Sequence, residues 1–152
     1  MDINVLFTDH AVEIDGVKYH HHPNGGGMVA ETAYVANTAY IGPFAKICHN
    51  ARVTGNACVF GNAWIFDNAE VRDDADVFGN ARVFGNSVIC DNAKVYGFAS
   101  VFGNARVSDF AEVFDVAEVS DNSRVCFKAK VSGSTKITGD AIVEKTGIKP
   151  GS

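Results

Sequence analysis

The stretch Ala51-Arg52-Val53-Thr54-Gly55-Asn56-Ala57-Cys58-Val59-Phe60-Gly61-Asn62-Ala63-Trp64-Ile65-Phe66-Asp67-Asn68 repeats one six-residue unit three times without a gap. The unit reads Ala-x-Val/Ile-x-Gly/Asp-Asn. An aliphatic residue recurs at every sixth position from Val29 to Val143, which makes twenty units with no insertion. Two positions before it stands Ala, Ser or Thr in every unit except the first. Internal repetition at a short fixed period indicates a solenoid.

The spacing within a unit predicts a short strand followed by a bend. Residues two apart on a strand point to the same side, so the small and the aliphatic residue share one side. The residues between and after them point to the other side. Gly, Asp and Asn then favour a sharp turn, because they tolerate left-handed backbone conformations. We therefore expect a polygonal coil with Val and Ile inside, whose stacked turns pair as parallel strands about 4.8 Å apart.

The position after the aliphatic residue has a longer period, which predicts the number of sides. From Thr54 onward every third residue there is non-aromatic, until the pattern fades at Ser120. The aromatic residues form two series with a spacing of eighteen: Phe60, Phe78, Tyr96 and Phe114, and Phe66, Phe84 and Phe102. Three units per turn predict triangular coils, between six and seven in number. The third face then carries Arg52, Glu70, Arg72, Arg106 and Arg124.

Composition and charge favour strands and exclude some partners. Leu occurs once in 152 residues, whereas Val, Ala, Phe, Gly and Asn dominate, a composition that favours strands and turns over helices. The net charge is −5, and no basic block indicates nucleic-acid binding. No apolar run reaches the length of a membrane helix, and the first seven residues lack the features of a signal peptide. The four cysteines match no zinc spacing, so we expect a cytoplasmic protein with reduced thiols and no cofactor.

The segments outside the repeats predict a small cap and a short tail. Residues 11–19 read as a hairpin around Asp15-Gly16. We expect this hairpin to cover the first coil, whose bare strand edges would otherwise promote aggregation. The predicted organisation is a cap at 1–26, a parallel β-helix at 27–143 and a polar tail at 144–152.

The repeat resembles the hexapeptide-repeat, left-handed β-helix superfamily over about residues 27–143. The runs Asn80-Ala81-Arg82-Val83-Phe84-Gly85-Asn86 and Gly103-Asn104-Ala105-Arg106-Val107 are closest in style to uncharacterised phage, prophage and bacterial proteins built of G-N-A-R-V-x repeats. Gly25-Gly26-Gly27-Met28-Val29 is similar to the segment that precedes the coils there. The resemblance implies an all-β, single-stranded left-handed parallel β-helix, a triangular prism that commonly packs as a parallel trimer. The left hand comes from the resemblance alone, since crossovers between parallel strands are generally right-handed.

The two aromatic faces give the strongest functional signal. Seven outward rings would make a large apolar patch on a single chain, and stacking among themselves does not explain why they face outward. Two aromatic faces and one polar face favour a closed heterologous homotrimer. A protein partner, or simple stacking on a monomer, are the alternatives. The predicted interface residues are Phe60, Phe66, Phe78, Phe84, Tyr96, Phe102, Phe114 and Trp64.

Histidines are the candidates for chemistry. Acyltransferases of the superfamily use a general-base His in a pocket at a subunit interface, and His49 is the candidate base here. Those pockets are commonly built by protruding loops, for which the unbroken register leaves no room. His20, His21 and His22 are candidate metal ligands, although neighbours on a strand alternate sides. A γ-type carbonic anhydrase would need three converging histidines, and the coils contain only His49.

The acidic run at Asp73, Asp74 and Asp76 suits turns and surface better than a paired-carboxylate mechanism. The sequence therefore predicts a non-catalytic scaffold or interaction protein of phage or prophage origin, and a host- or defence-directed role would be a subset of this. The alternative is a hexapeptide-repeat acyltransferase with its site at a subunit interface.

Overall fold

The computed structural model describes residues 12–145, and all regular structure in that range is β-strand. The strands are β1 (Val12–Ile14), β2 (Val17–His21), β3 (Met28–Ala30), β4 (Tyr34–Val35), β5 (Tyr40–Ile41), β6 (Lys46–Ile47), β7 (Arg52–Val53), β8 (Cys58–Val59), β9 (Trp64–Ile65), β10 (Glu70–Val71), β11 (Asp76–Val77), β12 (Arg82–Val83), β13 (Val88–Ile89), β14 (Lys94–Val95), β15 (Ser100–Val101), β16 (Arg106–Val107), β17 (Glu112–Val113), β18 (Glu118–Val119), β19 (Arg124–Val125), β20 (Lys130–Val131), β21 (Lys136–Ile137) and β22 (Ile142–Val143). Each strand from β3 onward holds the aliphatic residue of one unit. Within the same range, no helix has the length and hydropathy needed to cross a membrane.

The repeat strands form three parallel sheets, which we number I to III. Sheet I runs β3-β6-β9-β12-β15-β18-β21, sheet II β4-β7-β10-β13-β16-β19-β22, and sheet III β5-β8-β11-β14-β17-β20. Successive strands of the chain enter sheets I, II and III in turn, so one coil has three sides. Aliphatic residues stand opposite one another in every pair, as Val53, Val71 and Ile89 do in sheet II. The predicted β-solenoid of between six and seven triangular coils is confirmed.

The interior consists of the aliphatic column and the small-residue column of each sheet. Val53, Val71 and Ala75 are fully buried, and this holds for nearly the whole repeat. Where Ser replaces Ala, its hydroxyl finds an acceptor: Ser87 Oγ donates to the carbonyl of Phe84 at 2.8 Å. A buried hydroxyl without a partner would cost stability, so the small column tolerates Ser because the preceding bend offers a carbonyl.

The bend lies two positions after the aliphatic residue, as predicted. From His49 to Gly139 the residue there has a positive φ in every unit. An Asp at this position bonds the coil that follows: Asp121 Oδ2 accepts from the N–H of Gly139 at 2.8 Å, and Asp73 Oδ2 accepts from the N–H of Asp91 at 3.1 Å. An Asp at the bend therefore adds a bond between coils that a Gly cannot make.

The N-terminal hairpin is confirmed, and it covers the first coil. β1 and β2 pair around Asp15 and Gly16, and β2 pairs antiparallel with β3. The loop after β2 continues this cover at sheet III, where the N–H of Ile41 donates to the carbonyl of Asn24 at 3.0 Å. Residues 1–11 and 146–152, which include most of the predicted tail, lie outside the described residues. The hand of the coil stays a prediction.

Candidate interaction surface

The outward aromatic residues form two continuous ladders, as the eighteen-residue period predicted. On sheet III, ring centroids are 4.8 Å apart between Phe60 and Phe78, 4.8 Å between Phe78 and Tyr96, and 5.0 Å between Tyr96 and Phe114. On sheet I, Phe84 lies 4.7 Å from Phe66 and 4.9 Å from Phe102. All these pairs are within 5° of parallel. The distance between ring centroids matches the distance between paired strands, so the rings stack because the strands that carry them lie directly over one another.

Stacking leaves the ladder rings half-buried rather than exposed. Each of the seven is intermediate in exposure, because at least one face of every ring is covered by a ring of a neighbouring coil. Tyr96 also has a polar partner, since its hydroxyl donates to Glu112 Oε1 at 2.7 Å. Burial and this hydrogen bond raise the pKa of Tyr96 to about 12. The ladders are thus stabilised within one chain and expose mainly their ring edges.

Five strongly exposed apolar side chains lie at two corners of the prism, on either side of sheet III. Their exposed fractions are 74% for Phe44, 65% for Phe98, 61% for Phe110, 56% for Phe127 and 51% for Val116. Phe44, Phe98 and Val116 lie at the corner where sheet III leads into sheet I. Phe110 and Phe127 lie at the corner where sheet II leads into sheet III. The eighteen-residue aromatic period does not indicate any of these five residues.

A signal for these corner residues exists in the sequence. Phe44, Phe98, Phe110 and Val116 stand at the last position of their units, where most other units carry Asn. Phe127 stands at the fifth position, where most others carry Gly or Asp. A large apolar residue in place of a turn former is a departure from the repeat that local folding does not require.

Trp64, on the outward side of β9, joins the hairpin to the prism. Its Nε1–H donates to Cys48 Sγ at 3.2 Å, and the hydroxyl of Tyr19 lies 3.7 Å from the same sulfur. The hydrogen bond with Cys48, together with burial, raises the pKa of Tyr19 to about 12. Arg82 lies over the indole at 5.7 Å, within range of a cation–π contact. Trp64 is 37% exposed, so part of its surface remains accessible.

His49 pairs with Asp67 of the next coil, with Nδ1 3.2 Å from Oδ1. A carboxylate beside an imidazole is the arrangement that orients a general base. The backbone N–H of Asp67 also points to Nδ1 at 3.2 Å. Because an N–H only donates, Nδ1 accepts there and cannot at the same time donate to the carboxylate. Asp67 Oδ2 in turn accepts from the N–H of Gly85. His49, Asp67 and Gly85 are equivalent bend residues of successive coils, so the contact between His49 and Asp67 is one of the hydrogen bonds that join the bends at this corner.

His20, His21 and His22 do not converge on one point. His20 and His21 belong to β2 and are exposed. His22 follows the strand and is buried, with Nε2 2.9 Å from the carbonyl of Ala39. His21 Nδ1 lies 2.8 Å from the carbonyl of Gly26. His22 contacts the first coil, which gives it a structural role in the cap.

Asp73, Cys90 and Asp91 form the one group in residues 12–145 whose acidic and thiol atoms lie close enough to share a cation, within 4.8 Å of one another. Both carboxylates already accept backbone N–H groups of the next coil. Burial raises the pKa of the Cys90 thiol, whereas a metal ligand must be a thiolate. The donor set therefore suits the bend rather than a metal.

The predicted charged face is sheet II. Arg52 lies over the ring of Tyr34 at 5.1 Å, and Arg72 reaches Asp73 at 3.9 Å. Arg106 and Arg124 stand directly opposite each other in β16 and β19. Neither forms an ion pair with any residue between 12 and 145. Two like charges in register destabilise a sheet unless an acidic group lies nearby.

Comparison with known protein families gives a match over part of the chain. The family model described as the YdcK beta solenoid repeat matches residues 75–91. This segment runs from just before β11 to just after β13 and covers nearly one three-sided coil. No curated protein and no solved structure matches the chain. The chain is a β-solenoid repeat protein, one coil of which is similar to the YdcK beta solenoid repeat.

Proposed function

We propose that the chain is a non-catalytic, homotrimeric scaffold or interaction protein. The observation that carries this proposal is the exposure of large apolar side chains at two corners, with Phe98 at 65% and Phe110 at 61%. Exposed apolar surface that forms a patch commonly indicates a site of protein association. Phe98 lies at the corner between sheets III and I, which carry the ladders, and Phe110 lies at the corner between charged sheet II and sheet III.

The trimer follows from the distribution of apolar surface around the prism. One apolar corner follows sheet II and another follows sheet III, so each chain has two different surfaces to offer. Contacts between two different surfaces generate closed rings when the rotation between copies closes. The resemblance to trimeric β-helix proteins supports three copies. A phage or prophage origin and a particular protein partner remain predictions from that resemblance.

Light scattering coupled to gel filtration tests the oligomer. We expect a mass of about three times the chain mass of 16.2 kDa at micromolar chain concentration. A mass of 16.2 kDa at the highest attainable concentration would reject the homotrimer. Crosslinking with a short lysine reagent, followed by denaturing electrophoresis, gives an independent count of chains.

The second candidate is an acyltransferase, and the observation that favours it is the exposed imidazole of His49, which the backbone N–H of Asp67 orients through Nδ1. A ligand that binds the folded chain raises its melting temperature. Under this alternative, acetyl-CoA would give a saturable rise that His49→Ala abolishes and that Asn50→Ala, a change at the adjacent exposed residue, retains. Under the scaffold proposal no saturable rise occurs in any of the three proteins.

A further inference from the structure

Phe127 is anomalous among the bends of the coil. Its φ is 55°, and it is the one aromatic residue with a positive φ among residues 12–145, if the imidazole of His49 is set aside. A bulky residue in the left-handed region is rare and costs free energy. The same position is Gly in the next two units, at Gly133 and Gly139. Local folding therefore does not call for a phenyl ring here, and the ring is 56% exposed.

The rings of Phe127 and Phe110 form the walls of a surface cavity. The N–H of Phe110 donates to the carbonyl of Phe127 at 2.8 Å, which places the two residues on successive coils. The cavity has a volume of about 500 Å³ and is lined by Asp109, Phe110, Phe127, Lys128 and Glu144. The carboxylate of Asp109 holds the strained residue, since its Oδ2 accepts from the N–H of Phe127 at 2.8 Å. We call this feature the Phe110 cavity.

A matching apolar projection lies at the other edge of sheet III. Phe98 and Val116 occupy equivalent positions on successive coils, with exposed fractions of 65% and 51%. We call this pair the apolar corner. Phe110 follows Phe98 by two-thirds of a coil, which is about 3 Å along the prism axis at the usual strand spacing. Two copies that lie side by side and parallel therefore bring the apolar corner of one to the level of the Phe110 cavity of the other.

Charges beside the two features are complementary. In one copy of such a pair, sheet I lies next to the apolar corner. In the other copy, sheet II lies next to the Phe110 cavity. Docking the corner on the cavity therefore brings sheet I of the first copy beside sheet II of the second. Sheet I carries Glu118 there, and sheet II carries the in-register pair Arg106 and Arg124. Because the chain rises steadily along the prism axis, Glu118 lies at a level between those of Arg106 and Arg124. An acidic group at that level would relieve the repulsion between them.

We infer that the Phe110 cavity binds the apolar corner of a second copy of this chain. The inference rests on the proposed homotrimer and names its contact. Cavity and projection flank the same sheet III face, so repetition of the contact gives a head-to-tail ring. The ladder residues then support the corners from within each chain.

Matched variants test the contact by light scattering. Phe127→Gly removes one wall of the cavity and restores the residue used in the next two units, so it relieves backbone strain and preserves folding. Phe98→Asn removes the larger side chain of the apolar corner and restores the residue found at the equivalent Asn62 and Asn80. We expect each variant to fall to the single-chain mass with an unchanged far-UV circular dichroism spectrum. Phe44→Asn, which changes an even more exposed ring at the same corner but far from the contact, keeps the mass of the unchanged chain.

Mixing the two variants gives the decisive result. Phe127→Gly retains the projection and Phe98→Asn retains the cavity, so an equimolar, concentrated mixture forms a two-chain species that neither variant forms alone. A mixture that remains at the single-chain mass overturns the inference. So do variants that keep the full oligomer mass, and in that case the proposed homotrimer stands with a different interface. A single-chain mass for the unchanged protein overturns both.

Discussion

At the scale of single residues, the repeat depends on bends stacked directly over one another. At Gly79 an added Cβ would lie 2.9 Å from the backbone nitrogen of Gly97, the equivalent residue one coil on. At Gly139 an added Cβ would meet nothing within 4 Å. Both residues have a similar positive φ, of 68° and 66°. The two sites therefore separate the cost of the left-handed conformation from the cost of close approach.

Gly139→Ala should lower the free energy of unfolding by about 1 kcal/mol, the cost of an alanine in the left-handed region. Gly79→Ala should lower it by roughly 1–3 kcal/mol more, because the methyl group also pushes two coils apart. Urea unfolding followed by circular dichroism measures both values. Equal losses in the two variants would contradict a role for close approach between bends.

Tyr96 gives the fold a pH dependence at the alkaline end. Its pKa is raised from 10.0 to about 12 by burial and by the bond to Glu112. A folded-state pKa above the unfolded value means that neutral Tyr96 stabilises the fold below about pH 10 and loses this contribution as the pH rises through 12. The difference in absorbance titration between the unchanged protein and Tyr96→Phe should have its midpoint near 12.

Glu112→Gln should move that midpoint downward, because it removes the charged acceptor and leaves the burial in place. Glu118→Gln, a change in the next strand along the chain, is the matched control and should leave it unmoved. A Tyr96 midpoint near 10 in the unchanged protein would show that the hydroxyl is open to water instead.

The residue scale also shows where sequence reasoning succeeds and where it ends. The small and aliphatic columns could be predicted, because strand alternation alone decides which side faces inward. The role of Asp73 could not be predicted. The hydrogen bond that its carboxylate accepts from the next coil depends on how two bends stack. The part played by Phe127 is not predictable either, because turn propensity argues against an aromatic residue at that bend and the cavity exists only because Phe110 lies beside it.

At the scale of elements, each ladder adds contacts between coils that the sheets already pair. Phe78 stacks on both Phe60 and Tyr96, whereas Phe114, at the end of the described stack, contacts only Tyr96 among the ladder rings. The eighteen-residue period was sufficient to predict both ladders. Their half-buried state was not predictable from the period, because it depends on the ring planes being parallel and close to contact distance.

Phe78→Leu removes two ring contacts and Phe114→Leu removes one, while both retain an apolar side chain. We therefore expect Phe78→Leu to destabilise the fold by about 0.5–1.5 kcal/mol more than Phe114→Leu, the usual value of one aromatic pair. Urea unfolding at one chain concentration gives the comparison. If the two losses are equal, burial of each ring alone explains its stability and stacking adds nothing.

At the scale of the whole molecule, a parallel prism needs protection at its first coil. The edge of β3 is covered by β2, and the loop behind β2 bonds Ile41 of sheet III. The Asp-Gly turn predicted the hairpin, since this dipeptide fits a tight two-residue turn. The sequence does not predict that β2 pairs antiparallel with a coil strand, because short strands carry too little information to specify their partner.

Removal of residues 1–21 should leave the coils folded and make the chain aggregate with time, because β3 then presents unpaired N–H and carbonyl groups to other chains. Turbidity and light scattering record the growth, and circular dichroism confirms that strand content persists. Met28 lies at this edge, so Met28→Lys in the shortened chain places a charge where another strand would dock and should slow the growth. Ser100→Lys is the matched control, because it places a lysine at the outward position of an interior strand and leaves the edge unchanged. It should not slow the growth of aggregates. A shortened chain that stays clear and keeps the mass of the full-length protein would show that the first coil is protected by its own bends, and that the hairpin serves another purpose.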